Sequence, residues 1–356
     1  MAKRIVIKVG TKALSTEGGN LDIVVLKHLV EQIIAIKKQD REVVLVTSGA
    51  MGAGRSLMPI RTKEQRADKQ VLAAVGQAKL MSIYSNFFGK KKEICAQVLA
   101  TKEDFRDRMH YLNMRMCFEN LLKNSVIPIV NENDVVATTE LFFTDNDELA
   151  GLVASQLNAD IVVILTSVDG FLTRDPKDKN SILIPEIDFS DIGMYQKYIF
   201  PDKTDFGRGG MLTKFNIAKK LALQGITVYF ANGKRKNILS DIISGKKVGT
   251  KFLPKRKVTA MKRRIAHSEG LEKGFVQVNA CAEELLLSKT KIMSLLPVGV
   301  TKVSGNFEKG DIIGIIGKRG KKVGYGIAEY NAVRAKELAG LKKTRPVIHY
   351  NRMFIV

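Results

Sequence analysis

The sequence predicts an α/β protein, with a mostly parallel sheet sandwiched by helices and a small β-rich domain at the C-terminus. Three observations carry that prediction. Short β-branched runs alternate with amphipathic helical patterns over the first two-thirds of the chain. Those runs are apolar nearly throughout, as strands covered on both faces must be. From about Gly270 the texture changes to short β-like pieces punctuated by glycine. The expected boundaries are residues 1–253 for the larger domain, 254–269 for a basic linker and 270–356 for the β-rich domain.

The expected strands are "RIVIKVG" (4–10), "EVVLVTSG" (42–49), "VIPIVNEND" (126–134), "DIVVILTSVDG" (160–170) and "GITVYFANG" (225–233). Each runs into a polar or glycine-rich loop. Helical spacing of apolar residues marks the stretches 21–39, 68–88, 147–159 and 214–224 between them. Lys251 to His267 then carries seven Lys and Arg residues and no acidic one, around Pro254, and reads as a connector. Beyond it come "GFVQVNACAEELLL", "KVSGNFEKGDIIGIIG" and "KKVGYGIAEYNA", read as β-like, with no long helix before "AVRAKELAG".

At 356 residues the chain has room for two domains, and 45% apolar with 26% charged residues is ordinary globular composition. Lys plus Arg is 58 against 36 Asp plus Glu, a net charge of +22. That excess favours polyanionic partners such as nucleic acid or nucleotide phosphates, although a solvated basic surface also accounts for it. Three scattered cysteines and four dispersed histidines give no disulfide framework and no metal-ligand spacing. The stretch "MAKRIVIKVG" enters a strand-like run without a signal-peptide plan, and no apolar run approaches the ~20 residues a membrane helix needs. A soluble cytoplasmic protein without membrane partners is expected.

In an open α/β sheet, ligands sit beyond the carboxyl ends of the strands, so those ends hold the candidate site residues. Lys8 ends the first strand, where a buried ammonium calls for an anion. "TSGAMGAGR" follows the second strand with glycines in the order G-x-x-G-x-G, the reverse of a dinucleotide fingerprint, but a Ser48-Gly49-Ala50 turn opening a helix still offers amides to an anion. "NENDVVAT" and "FTDNDELAG" supply Asn131 to Asp134 and Asp145 to Asp147, more polar groups than one turn and one helix cap require. "TSVDGFLTRDP" ends the strand at 160–166 as a plausible nucleotide rim. "DFGRGGMLTKFNIAKK" adds three glycines and Lys214, but not in the G-x-x-x-x-G-K-[ST] order of a P-loop. Two lysines, glycine turns, carboxamides and aspartates without a catalytic histidine suit phosphoryl transfer, whose demands are alignment and charge neutralisation.

"KVGT", "VTSGA", "NENDVVAT", "DNDELA" and "GRGGMLTK" occur in that order, and the set resembles the glutamate 5-kinase family of the amino-acid kinase superfamily. The later "LLPVGVTKVSGNFEKGDIIGI…GIAEYNA" resembles a PUA domain. The resemblance covers nearly the whole chain. It implies the amino-acid kinase fold and phosphorylation of the γ-carboxylate of L-glutamate by ATP with Mg²⁺, the first step toward proline. It further implies that Lys8 and Lys214 flank the moving phosphoryl group and that Asp147 holds the lysines or helps bind substrate. Ser48, Asp134 and Asn146 would bind glutamate, with Asp134 suited to its ammonium group. Thr166, Ser167, Arg208, Gly209, Gly210, Met211, Leu212, Thr213 and Lys214, together with Lys8, would line the ATP site; no residue is assigned to a metal. The family often has Asp where this chain has Ser167, a departure at the nucleotide rim. Feedback inhibition by proline, a homo-oligomer and RNA as a partner of the PUA-like domain belong to the same set of expectations. The competing readings are a sister kinase acting on aspartate, acetylglutamate or UMP, and an RNA-binding or RNA-modifying protein.

Overall fold

The computed structural model describes residues 3–16, 18–58, 66–136, 145–174, 178–188, 192–195, 210–254, 272–288, 293–342 and 344–355. In chain order the first elements are β1 (Arg4–Val9), α1 (Thr11–Leu14), α2 (Ile23–Lys37), β2 (Glu42–Thr47), α3 (Ala50–Arg55), α4 (Arg66–Gly89) and β3 (Cys95–Ala100). There follow α5 (Lys102–Arg106), α6 (Arg108–Lys123), β4 (Ile127–Glu132), α7 (Asn146–Gln156), β5 (Ile161–Thr166), β6 (Glu186–Ile187) and α8 (Ile192–Tyr195). Then come α9 (Met211–Leu223), β7 (Thr227–Asn232), α10 (Ile238–Ile243) and β8 (Thr250–Phe252). The last group is β9 (Gly274–Val278), α11 (Ala280–Leu287), β10 (Val300–Gly305), β11 (Ile312–Ile316), β12 (Lys322–Ile327), α12 (Ala332–Leu338) and β13 (Met353–Ile355).

The chain divides into two compact units, Met1–Thr101 with Arg115–Lys257 and Lys102–Met114 with Val258–Val356. In the first, an eight-stranded sheet has the order β3-β4-β2-β1-β5-β7-β8-β6. The six strands from β3 to β7 are parallel, while β8 runs antiparallel to β7 and β6 follows β8. The mostly parallel sheet matches the prediction from apolar runs: in β1, β2 and β5 every residue after the first is buried. The register brings their carboxyl ends level, with Val9 opposite Thr47 on one side and Leu165 on the other, and Thr166 opposite Asn232.

Helix α2 shows how sequence sets one layer. The Asp22 carboxylate caps it, accepting from the amides of Val24 and Val25 at 3.1 Å each. Its helical stripe Leu26, Leu29, Val30 and Ile33 is buried in one cluster with Ile5 and Ile7 of β1 and Tyr84 and Phe88 of α4. On the same sheet face α3 crosses α4 on glycine: a Cβ on Gly76 would lie 1.7 Å from the Ala50 carbonyl oxygen, and one on Gly54 2.1 Å from that of Leu72.

Several elements depart from the prediction. Strand β3 and helices α5 and α6 form where no element was expected. Thr250–Phe252, inside the expected larger domain but running into the Lys-rich stretch from Lys251, form β8 and pair with β7 and β6, a strand not expected there; residues 255–271 lie outside the described residues. "ACAEELLL", read as β-like, is helix α11, because Asn279 caps it by accepting from the Ala282 amide at 2.8 Å. The second unit holds a five-stranded sheet of order β10-β9-β11-β12-β13 around Val276, Val278, Phe307, Ile313 and Ile315. Within that unit Lys273 pairs with Asp107 at 3.5 Å and with Asp311 at 3.6 Å.

Candidate active site

At the central strand's carboxyl end, Lys8 is 5% exposed, which for an ammonium demands a counter-charge. Asp147 supplies it and is itself wholly buried. Its Oδ1 lies 2.5 Å from Lys8 Nζ, and its Oδ2 lies 2.8 Å from Lys214 Nζ. One carboxylate therefore holds two ammonium groups whose residues stand about two hundred positions apart. Local sequence explains each placement. Gly10 leaves room for the lysine head, since a Cβ there would lie 3.2 Å from Lys8 Nζ. Asp145 caps α7, its Oδ1 accepting from the Asp147 amide at 2.9 Å and the Glu148 amide at 3.1 Å, which fixes Asp147 in the first turn. Gly210 stands at the N-cap of α9, and its carbonyl accepts from the Lys214 amide at 3.2 Å.

The two aspartates are driven apart electrostatically. Burial pushes the Asp147 carboxyl up, but Lys8 and Lys214 together outweigh it and hold the group below the usual carboxylate range. Burial, followed by the neighbouring charge of Asp147, pushes Asp145 up to about 7. Its Oδ2 is buried without a hydrogen-bond partner among the described residues. Asp147 is thus the ionised member, placed to orient two lysines. An ammonium carries three donors, so pairing with Asp147 does not by itself exhaust either lysine.

Beside this clamp lies a network of amides. Asn146 Nδ2 is within 2.8 Å of the Thr47 carbonyl oxygen, 2.9 Å of Ser48 Oγ and 3.0 Å of Asn131 Oδ1. Asn131 is 3% exposed; its Oδ1 also accepts from the Glu132 amide at 3.0 Å, and its Nδ2 donates to Gln77 Oε1 at 2.9 Å. Ser48 precedes Gly49, whose φ of 105° is a left-handed conformation that turns the chain from β2 into α3. Ser48 and Asn146, both expected to bind substrate, are brought together. Asp134 lies half-buried on the turn after β4, three residues beyond Asn131.

Among the residues expected at the nucleotide, Thr166 ends β5 with its Oγ1 accepting from the Val168 amide at 3.0 Å, and Ser167 is exposed. Met211 and Thr213 are half-buried in the first turn of α9, and Leu212 is 44% exposed. Arg208 and Gly209 lie outside the described residues. Sequence reasoning did not single out Gln77, which sits in a helix with no distinguishing signal. Nor did it single out Asn232, whose Nδ2 donates to Asp169 Oδ1 at 3.1 Å beside Thr166; its position at a strand end was the available clue. Among the described residues no three His, Cys, Asp or Glu side chains group to hold a metal ion. No helix among them is long and apolar enough to cross a membrane.

A family profile described as "Amino acid kinase family" matches residues 3–232, and one described as "PUA domain" matches residues 274–350. The chain is 49% identical over 355 residues to a glutamate 5-kinase of Chlorobaculum tepidum, spanning 99% of this chain and 98% of that protein. It is 44% identical over 357 residues to a glutamate 5-kinase of Bacteroides thetaiotaomicron, again spanning 99% and 98%. In fold it is similar to a carbamate kinase from Giardia lamblia, with a TM-score of 0.51 at 19% identity over 71% of this chain and 99% of that one. Parallel sheet, buried lysine clamp and profile together place the chain in the amino acid kinase family, to which it belongs. Both of these relatives, matched over nearly their whole length, are glutamate 5-kinases.

Proposed function

We infer that this protein transfers the γ-phosphoryl group of ATP to the γ-carboxylate of L-glutamate, giving γ-glutamyl phosphate, the first step of proline biosynthesis. The observation that carries the reading is the Lys8–Asp147–Lys214 clamp at the end of β1. A carboxylate acceptor is already ionised at neutral pH, so the reaction needs no general base. Its demand is neutralisation of charge on the moving phosphoryl group, and two ammonium groups held at fixed positions meet it. Asp147 sets their spacing. Asn146 and Ser48 would bind the amino acid, with Asp134 facing its ammonium group. Thr166, Ser167 and the residues from Arg208 to Lys214 would line the ATP. Bound magnesium would supply further charge neutralisation on the phosphates.

The test is an acceptor screen: purified protein with ATP and Mg²⁺ is offered glutamate, aspartate, acetylglutamate or UMP, ADP release is followed for each, and any acyl phosphate is trapped with hydroxylamine. Hydroxamate from glutamate is expected. Turnover of aspartate or UMP without glutamate would move the assignment to a sister kinase. The same screen with added proline tests feedback inhibition, which follows if proline's carboxylate and ammonium occupy the same acceptor groups. A homo-oligomer and a cytoplasmic location complete the proposal. The charge of +22 favours one second reading, RNA binding. It predicts steeply salt-dependent binding of structured RNA, and no binding at low salt would remove it.

A further inference from the structure

The hydrogen bonds beside the clamp determine which end of each amide faces which way, because two of the partners are backbone groups. The Glu132 amide can only donate, so the atom of Asn131 that meets it is the acceptor Oδ1. The other end of Asn131 is then the donor Nδ2, and the Gln77 atom it reaches at 2.9 Å must be Oε1. In the other direction, the Thr47 carbonyl can only accept, so the Asn146 atom that meets it and Asn131 Oδ1 is Nδ2. That leaves Asn146 Oδ1, a hydrogen-bond acceptor, as the remaining polar atom of the side chain. An acceptor at this position recognises an ammonium group and not a carboxylate.

Gln77 closes this chain from α4. Its Nε2 is buried and has no hydrogen-bond partner among the described residues. Because that atom is sealed from solvent, it does not reach a ligand directly in this arrangement. What Gln77 contributes is its Oε1, a further anchor that reinforces the orientation the Glu132 amide already gives Asn131 and so steadies Asn131 Oδ1 toward Asn146. We propose that Gln77 is a positioning residue for recognition of the acceptor amino acid, acting through Asn131 to hold Asn146 with its carbonyl oxygen toward the substrate's ammonium group. This rests on the reading of Asn146 as an acceptor-site residue. The unpartnered Nε2 is consistent with such a role: the side chain is oriented for its acceptor end, at the expense of its donor end.

The test compares wild type, Gln77→Met and Gln77→Glu as full-length proteins, measuring KM for the acceptor, KM for ATP, kcat and the melting temperature. Methionine keeps the length of the side chain but offers Asn131 no oxygen; glutamate keeps an oxygen where Oε1 stands. Loss of one orienting hydrogen bond predicts a rise of about tenfold in the acceptor KM of Gln77→Met. Its KM for ATP and its kcat should stay within about twofold of wild type, since neither nucleotide nor clamp depends on the relay. Gln77→Glu should restore an acceptor KM near the wild-type value. An unchanged acceptor KM in Gln77→Met overturns the proposal, as does a parallel rise in both KM values. If Gln77→Met does not fold, Gln77→Glu decides alone: a rise in its acceptor KM as large as about tenfold would assign the role to Nε2 and overturn the relay. Should wild type prove to use another amino-acid acceptor, the same comparison is made on that acceptor, so failure of the function and failure of the relay remain distinct.

Discussion

Asp147 has no exposed surface and two ammonium groups against its two oxygens, so each of the three charges depends on the others. Removing one charge stabiliser of a transition state typically lowers the rate by about 10²–10³-fold, which is the loss of kcat expected for Lys8→Ala and for Lys214→Ala. Steady-state kinetics with thermal melts check this, and near-normal turnover in either variant would contradict a two-lysine mechanism. The aspartate pair also makes a pH prediction. Asp147 is depressed on folding, so its contribution to stability is present above the unfolded carboxylate value and is lost only as acid reaches the folded value, well below it. Asp145 is raised to about 7, so its contribution is full below the unfolded value and declines as pH rises toward neutrality. Asp145→Asn keeps a capping side chain and removes that titration. Thermal melts between about pH 4 and 7, the unfolded and folded values of this carboxyl, should show a flatter slope in the variant than in wild type. An identical slope would mean that Asp145 is not the buried neutral group.

At the scale of elements, the crossing of α3 and α4 positions Ser48 by way of the turn at Gly49, and it tolerates no side chain at Gly76. Gly76→Ala places a methyl group against the Ala50 carbonyl and should destabilise by about 1–3 kcal/mol, as overpacking of a close contact does. Denaturant titration measures it; a stability equal to wild type would mean that the two helices separate freely. The elements that sequence made legible are those with one clean period. Strands β1, β2 and β5 are uninterrupted apolar runs, and α2 has a single buried stripe between a cap and a basic end. Strand β3 lay hidden because it is the sheet edge, with "CAQVLA" only half-buried over most of its length. Helix α6 buries Tyr111, Phe118 and Leu122 on one face and exposes Met109, Leu112 and Met116 on another, so its buried stripe was present in the sequence and went unread beside a second run of apolar residues. Helix α11 buries no residue fully, and its only strong local signal is the Asn279 cap.

Across the whole molecule the site is assembled by register. Lys8, Thr47, Asn131, Thr166 and Asn232 each stand at or next to the carboxyl end of a different parallel strand, and α7 and α9 bring Asp147 and Lys214 to the clamp. Clusters that were dense in sequence, such as "DND" and "NEND", were visible because surplus polar groups at strand and helix ends require an explanation. Gln77 was not visible, because a single glutamine in an amphipathic helix acquires meaning only from Asn131, more than fifty residues away. In the reaction this site supports, a carboxylate, activated by no base, attacks the γ-phosphorus of ATP. L-Glutamate carrying a heavy-oxygen label in its γ-carboxylate tests it most directly, with hydroxylamine added to cleave the product at its acyl carbon. The released inorganic phosphate should carry one labelled oxygen per turnover, the former bridge between carbon and phosphorus. Phosphate released without label, while ATP is consumed, would contradict it.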